Sequence, residues 1–537
     1  MATNATEVTR IGVVLVHGVG EQRRFDHLSS EVSRLVAALE ALEGTRVSLD
    51  TRSTQDSEIG AEHESWRADS RAPVKIDVVQ TSNGREQRSC LCVHEVWWAD
   101  LDDKDTLWNR IKFWCWGLGF WGVKKFDTTS LQGAQMDMQP PVFPPLPGGE
   151  LLRETIVRVR LWCFANLFLL SALTLDVLHF ALERLRLGKV PGARVFYEFV
   201  GDVKLYQDRG RRRAGPLTDL DEPRRVPIRR RMVRVLLDAY RENYERWYVL
   251  AHSLGTVVAL NGLMETAHAL PNYLTEEVWG SLKASNDPVV GSRAGGPARS
   301  VAGMRPARPV WLTDDAAVLR RDVMFAKLRG LVTYGSPLDK FAYLWKQIVN
   351  INKDASCWCS SFEWVNVFEH TDPVSASLAA YSTPPAPAGS PQPLNLAYKA
   401  CPILLLSHLK YLDLRNKPKV RPDQFVLRLA TWLLQGGSRF PEPGPTDRSW
   451  YRSQGFLFGL ALRLPWWVAG TAVLTAVLAF VVVPAVVGLL AKVPLLAPAA
   501  ASYADWSSGG KFGAVLLASA VVITLAGFVR RVVERYL

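Results

Sequence analysis

Three residues of this chain have the types, order and surroundings to carry nucleophilic chemistry. Ser253, in VLAHSLGT (249–256), lies between an apolar strand-like run and the small-residue run LGTVVALNGL. A serine hydroxyl attacks a carbonyl only when a base takes its proton and a third group orients that base. A tight strand-to-helix turn would present the Ser253 oxygen at the carboxyl edge of a sheet. Such a turn needs small residues two positions to either side, here Ala251 and Gly255, so the stretch reads A-x-S-x-G in place of G-x-S-x-G.

The acid is expected after a late strand, which selects Asp372 in NVFEHTDPVS over Asp339 in GSPLDK. The base is expected later still, and His408 in SHLKYL is the one histidine beyond residue 370. H-G-V-G at 17–20 follows the first apolar run, where glycines let a backbone N–H turn toward a substrate. The N–H groups of Val19 and Leu254 are therefore the expected oxyanion donors. His17, Gly18, Gly20, His252 and Gly255 are read as support for these motifs, and His370 as a scaffold histidine. A structural reading stands beside each of these: a serine in a turn, a Gly-rich turn, an aspartate in a turn before proline, a satisfied structural histidine.

These residues need a scaffold that brings them to one edge. IGVVLVHGVG is a continuous apolar run of the kind found in a sheet covered on both faces, and a helical pattern follows over 29–42. Strand-like runs recur at 74–80, 90–98, 247–251, 330–336, 363–370 and 402–406. A helix with Val233, Leu236, Leu237 and Tyr240 on its apolar face leads into the strand at 247, and another starts near Leu254. Strands alternating with helices imply an α/β fold with a mostly parallel sheet covered by helices. Stretches 139–149, 284–310, 383–393 and 440–449 read as loops or linkers.

Taken together, VVLVHGVGEQ, LAHSLGTVVAL, LVTYGSPLDK, NVFEHTDPVS and SHLKYL resemble the α/β-hydrolase fold in its lipase/esterase-like branch. The likeness covers roughly residues 10–435, discontinuously. It implies attack by Ser253 on an ester carbonyl, His408 as base and then acid, and Asp372 orienting the imidazole. The chain order Ser…Asp…His is the one this fold uses. No cofactor is implied.

With 537 residues, the chain has room for a catalytic core and an appendage. It is 48% apolar, yet its mean hydropathy is only +0.02, because the apolar residues are concentrated. Residues 466–491 carry no charge over more than a bilayer's length; 512–529 are nearly as apolar and end before Arg530, Arg531 and Arg535. They are expected to form a C-terminal transmembrane hairpin, with a buried soluble hairpin as the alternative. The flanking arginines suggest that both its ends, and the catalytic domain, are cytoplasmic. The run 161–182 contains Asp176 and His179. It cannot be a lone crossing, because the strands before Gly18 and Ser253 share one sheet. It is expected to lie in or on the bilayer or to cap the site, with the Trp-rich 113–123 run beside it.

The expected organisation is thus a catalytic domain over 1–435, with insertions at 105–185 and 264–320, a linker at 436–455 and an anchor at 456–537. The net charge of +12 suggests an anionic neighbour. Arg209–Arg234 holds ten arginines against three acids, which reads as a solvated face or a site for anionic lipids. No nucleic-acid module accompanies the charge. MATNATEVTR lacks the apolar core of a secretory leader. The pairs Cys90/Cys92 and Cys357/Cys359 read as ordinary thiols rather than a metal site. The expectation is a membrane-anchored serine hydrolase acting on a lipid or lipid-like acyl ester. An acyl-protein thioesterase and a catalytically silent hydrolase-fold scaffold are the alternatives.

Overall fold

The computed structural model describes residues 8–18, 26–50, 73–98 apart from 83, 223–293 and, with interruptions, 306–450, together with 206 and 507. The chain divides into two units, residues 1–110, 122–150 and 201–457 in one and residues 111–121, 151–200 and 458–537 in the other. Apart from Ser507, every described residue belongs to the first unit. Among the described residues no helix is long and apolar enough to cross a membrane. The runs 113–123, 161–182, 466–491 and 512–529 lie outside them.

Eight strands form one sheet. In chain order they are β1 (Thr9–Val16), β2 (Thr45–Asp50), β3 (Val74–Ser82), β4 (Arg85–Val96), β5 (Arg246–His252), β8 (Leu328–Tyr334), β9 (Glu363–Phe368) and β10 (Pro393–Ala397). The short pair β6 (Val290–Ser292) and β7 (Ala317–Leu319) makes a separate antiparallel ribbon. The spatial order is β10-β9-β8-β5-β1-β4-β3-β2. Pairing is parallel from β10 to β4, while β3 runs antiparallel to both β4 and β2. The sheet is therefore mixed but mostly parallel, as the alternation of strands and helices predicts.

The interior strands are long apolar runs because helices cover both faces. On one face Ile11, Val13 and Leu15 pack with Leu28, Val32, Leu35 and Leu39 of α1 (Asp26–Glu40). The same cluster takes in Phe425, Leu429 and Leu433 of the last described helix, Phe425–Gln435. On the other, α2 (Arg225–Arg241) and α3 (Gly255–Leu263) pack on each other and on β1. Gly12 marks how close this approach is: a Cβ there would sit 2.3 Å from the Tyr244 ring. A further helix, α4 (Glu276–Ala284), is capped by the Thr275 hydroxyl, which accepts from the Val278 N–H; the helix Phe425–Gln435 is α5 in this numbering.

Several local expectations meet a different outcome. Arg225 and Arg229 of the arginine-rich run are buried, Arg229 donating to the Tyr206 hydroxyl, and Arg231 donates to the Trp97 carbonyl. The described part of that run thus turns guanidinium groups inward; residues 209–222 lie outside the described residues. The stretch around 440–450, expected as a linker, follows the sheet instead of leaving it. Phe440 and Trp450 join the core, Trp450 pairs with Tyr398, and Arg428 donates to the carbonyls of Pro441 and Glu442.

Topology fixes where a ligand would bind. After β1 the chain builds β2, β3 and β4 on one side, then returns to place β5 on the other side of β1. The carboxyl ends of these three strands are level, since Val16 pairs with both Val96 and Ala251. In an open α/β sheet the crevice beyond the carboxyl ends at such a reversal is the binding position. Gly18 and Ser253 lie there.

Candidate active site

Ser253 follows β5 directly and has φ +53°, a left-handed conformation that a side chain with a Cβ adopts only at a cost of roughly 1–2 kcal/mol. The surroundings hold it there. Its N–H donates to the Tyr334 carbonyl, 3.1 Å away. The Thr256 hydroxyl donates to the Ser253 carbonyl at 2.7 Å and is itself bonded to the Ser336 hydroxyl at 2.8 Å. Helix α3 starts immediately after, with Leu254 at its N-cap. The Leu254 N–H thus belongs to a first helical turn, whose N–H groups have no intrahelical partner.

Glycines make the approach possible. A Cβ on Gly255 would lie 2.3 Å from the His17 carbonyl oxygen and 2.5 Å from that of Val16. A Cβ on Gly18 would meet the Ser253 Cβ at 2.5 Å. Ala251 is fully buried, and alanine serves at the position where glycine is more usual. Because Gly255 would clash with backbone rather than with a flexible side chain, Gly255→Ala has to separate β1 from the turn. The expected cost is about 1–3 kcal/mol of stability. A denaturant midpoint equal to the wild type's would contradict this.

His408 Nε2 lies 2.9 Å from Ser253 Oγ, and His408 Nδ1 lies 2.9 Å from Asp372 Oδ2. All three residues are buried, Ser253 completely. The carboxylate at Nδ1 can only accept, so Nδ1 carries the proton and Nε2 is left to take one from Ser253. Burial alone would push the Asp372 carboxyl up. The charge and hydrogen bond of His408, the Val374 N–H at 2.9 Å and the Tyr411 hydroxyl at 2.9 Å outweigh it and hold the carboxyl at about 2. Asp339, the rival acid, is half-buried after β8, and its field acts on Tyr381.

The supporting histidines have distinct duties. His17 Nδ1–H donates to the Gly18 carbonyl at 2.8 Å, and its Nε2 accepts the Trp98 N–H at 3.1 Å. Its ring stacks on Trp98 with centroids 4.8 Å apart, so it ties the end of β1 to the end of β4. His252 Nε2–H donates to the His408 carbonyl at 2.8 Å, and its ring stacks on Tyr334. Burial, reinforced by the neighbouring His408, pushes His252 down to about 3. Gly335, at φ +61°, leaves room for both rings: a Cβ there would lie 3.1 Å from each.

The depressed His252 has a thermodynamic consequence. Between its ordinary 6.5 and about 3 the unfolded chain takes up a proton that the folded chain refuses. Stability held by neutral His252 is complete above pH 6.5 and is lost as the pH falls toward 3. His252→Gln keeps a donor for the His408 carbonyl but does not titrate. Melting temperatures should therefore fall more steeply between pH 7 and pH 4 for the wild type than for this variant. Parallel curves would count against the buried neutral histidine.

Of the residues expected at the site, Ser253, Asp372 and His408 come together, with Leu254, His17, Gly18, His252 and Gly255 around them. Val19, Gly20, His370 and Pro373 lie outside the described residues. Sequence reasoning did not single out Thr256, Tyr334, Gly335, Ser336 or Tyr411. The Thr256 contact has a local signal, a hydroxyl three residues after the serine, whereas the others meet the site only through the fold. Cys90 and Cys92 share a face of β4 with thiols 3.8 Å apart; Cys357 and Cys359 lie outside the described residues. Among the described residues no three His, Cys, Asp or Glu side chains are grouped to hold a metal ion.

Chemically, the arrangement can draw the proton from Ser253 Oγ onto His408 and keep the resulting imidazolium beside a fixed carboxylate. No protein-family model, curated protein or solved structure matches the chain.

Proposed function

We propose that this protein is a membrane-anchored serine hydrolase of the α/β-hydrolase type that cleaves an acyl ester of a lipid or lipid-like substrate through an acyl-enzyme. The observation that carries the reading is the Ser253–His408–Asp372 relay, with both contacts at 2.9 Å and the serine on a left-handed turn at a sheet reversal. Ser253 attacks the carbonyl carbon while His408 Nε2 takes its proton. The oxyanion that forms is met by the Leu254 N–H and, in this reading, by that of Val19. His408 then protonates the leaving alcohol, and water repeats the sequence to release the acid. Burial of the relay strengthens these interactions by excluding water.

The lipid substrate and the cytoplasmic, membrane-anchored location rest on the charge-free run 466–491, the run 512–529 with its following arginines, and the Trp-rich and apolar runs at 113–123 and 161–182. A site carried beside a bilayer meets lipid esters first. The arginines of 209–213, together with Arg224, Arg230 and Arg234, are the proposed contacts to anionic headgroups; Arg225 and Arg229 are buried and Arg231 is engaged with the Trp97 carbonyl. The test is fatty-acid release from phospholipid vesicles by the full chain, with Ser253→Ala as control and an S-acylated peptide as competing substrate. Serine-dependent release from vesicles alone is expected. Cleavage of the S-acylated peptide alone would replace lipid by acylated protein as the substrate, and no turnover of either by folded protein would overturn the enzyme.

A further inference from the structure

The relay has a fourth member that the mechanism above does not use. Tyr411 is buried, three residues after His408, just past the 3₁₀ turn Leu406–Leu409. Its hydroxyl donates to Asp372 Oδ2 at 2.9 Å, the same oxygen that accepts the His408 Nδ1–H. The tyrosine oxygen is itself fixed: it accepts the Glu369 N–H at 2.9 Å and bonds the Ser375 hydroxyl at 2.9 Å. Asp372 Oδ1 takes the Val374 N–H. The carboxylate is thus held by a donor on Oδ1 and by two on Oδ2, and the base and the phenol that share Oδ2 stand on one turn of chain.

We propose that Tyr411 is a positioning residue for the reaction, acting through Asp372: its hydroxyl fixes the carboxylate so that Oδ2 faces His408 Nδ1 and shares its negative charge. This rests on the serine-hydrolase reading of the site. A phenol that is a neighbour only would fill space, and any apolar ring would do as well. A phenol that bonds Oδ2 sets how much of the carboxylate's charge the imidazole feels. Without it the carboxylate attracts the positive charge that develops on the relay more strongly, and the acid limb of a reaction that needs the free base is displaced to higher pH.

Other charged and titratable groups face this pair. His252 and Tyr334 from β5 and β8 have rings 6.5 and 6.0 Å from that of Tyr411. Glu369 at the end of β9 bonds the Ala400 N–H at 2.6 Å. Glu31 and Arg34 come from α1, Arg34 bridging Glu31 at 2.5 Å and Asp413 at 2.7 Å. All of them are unchanged in Tyr411→Phe, so a displaced profile reports the lost hydroxyl. Ser375 remains within 3.3 Å of the Glu369 N–H and can keep that donor satisfied.

The experiment measures the rate of reaction of the full chain with a fluorophosphonate from pH 5 to 9. The probe needs no knowledge of the substrate, and its rate follows the free base. Tyr411→Phe should react about tenfold more slowly near neutrality, with the acid limb moved up by roughly half a pH unit. In an Asp372→Asn background the same change should add almost nothing, because its route is through the carboxylate. Should Tyr411→Phe not fold, Tyr411→3-fluorotyrosine keeps the contact with a stronger donor, and the limb should move down. An acid limb that stays in place in the folded variant, whatever the rate, overturns the role of Tyr411 and leaves the relay standing. Absence of any reaction in folded wild type overturns the hydrolase reading and this role with it.

Discussion

Ser253→Ala should lower ester hydrolysis by about 10⁵- to 10⁶-fold, His408→Ala should fall to the same floor, and the double variant should go no lower. In the proposed mechanism the two groups act once, together. The serine oxygen is a nucleophile only while Nε2, 2.9 Å away, can take its proton, and the imidazole has nothing to activate when the hydroxyl is gone. Residual activity of the double variant would come from oxyanion donors and binding alone. Steady-state kcat/KM on a soluble ester, measured for all three variants with matched melting temperatures, checks the prediction. Losses that multiply would mean that Ser253 and His408 act at separate steps.

Asp372→Asn should cost about 10⁴-fold in kcat and about 1–3 kcal/mol of fold stability. Every partner of this carboxylate is a donor: the His408 ring, the Tyr411 hydroxyl and the Val374 amide. An asparagine has one acceptor oxygen and must turn its NH₂ toward one of these groups. Turned toward His408, it forces the other tautomer, which puts the proton on Nε2 and stops that nitrogen from accepting one from Ser253. Turned toward Val374, it leaves a buried N–H without a partner and offers the imidazolium no charge. Single-turnover rates with an ester, together with the fluorophosphonate rate, separate this loss from a change in binding. Equal activity of the asparagine variant would show that the Asp372 charge is not used.

How much of this was legible in the sequence follows from where the hydrogen bonds and apolar faces lie. β1, β5, β8 and β9 are covered on both faces, so each appears as a largely apolar run, found within a few residues of its observed limits. β2 was missed because it is an edge strand: TRVSLD is mostly polar, and among the described residues it pairs with one strand, β3. β10 was missed for a related reason. It begins at Pro393, inside a stretch whose prolines read as loop, yet proline is acceptable as the first residue of an edge strand. The strand expected at 402–406 ends instead in the 3₁₀ turn Leu406–Leu409, while residues 402–405 lie outside the described residues.

At the site, Ser253 and the glycines were legible because a strand-to-helix turn leaves a local signature in small residues. Asp372 and His408 were legible by chain order. Tyr411 was not, since its partner Asp372 is 39 positions away and a tyrosine at that spacing resembles any core aromatic. The reversal of strand order at β1 and β5, which brings Gly18 beside Ser253, is a property of pairing that no local pattern encodes.

The most direct test of the central claim is to react the full chain with a fluorophosphonate and map the adduct by peptide mass spectrometry. The expected result is a single modified residue, Ser253, with the adduct lost in His408→Ala. An adduct on a different serine, or none on folded wild type, would contradict the assignment of Ser253 as an activated nucleophile.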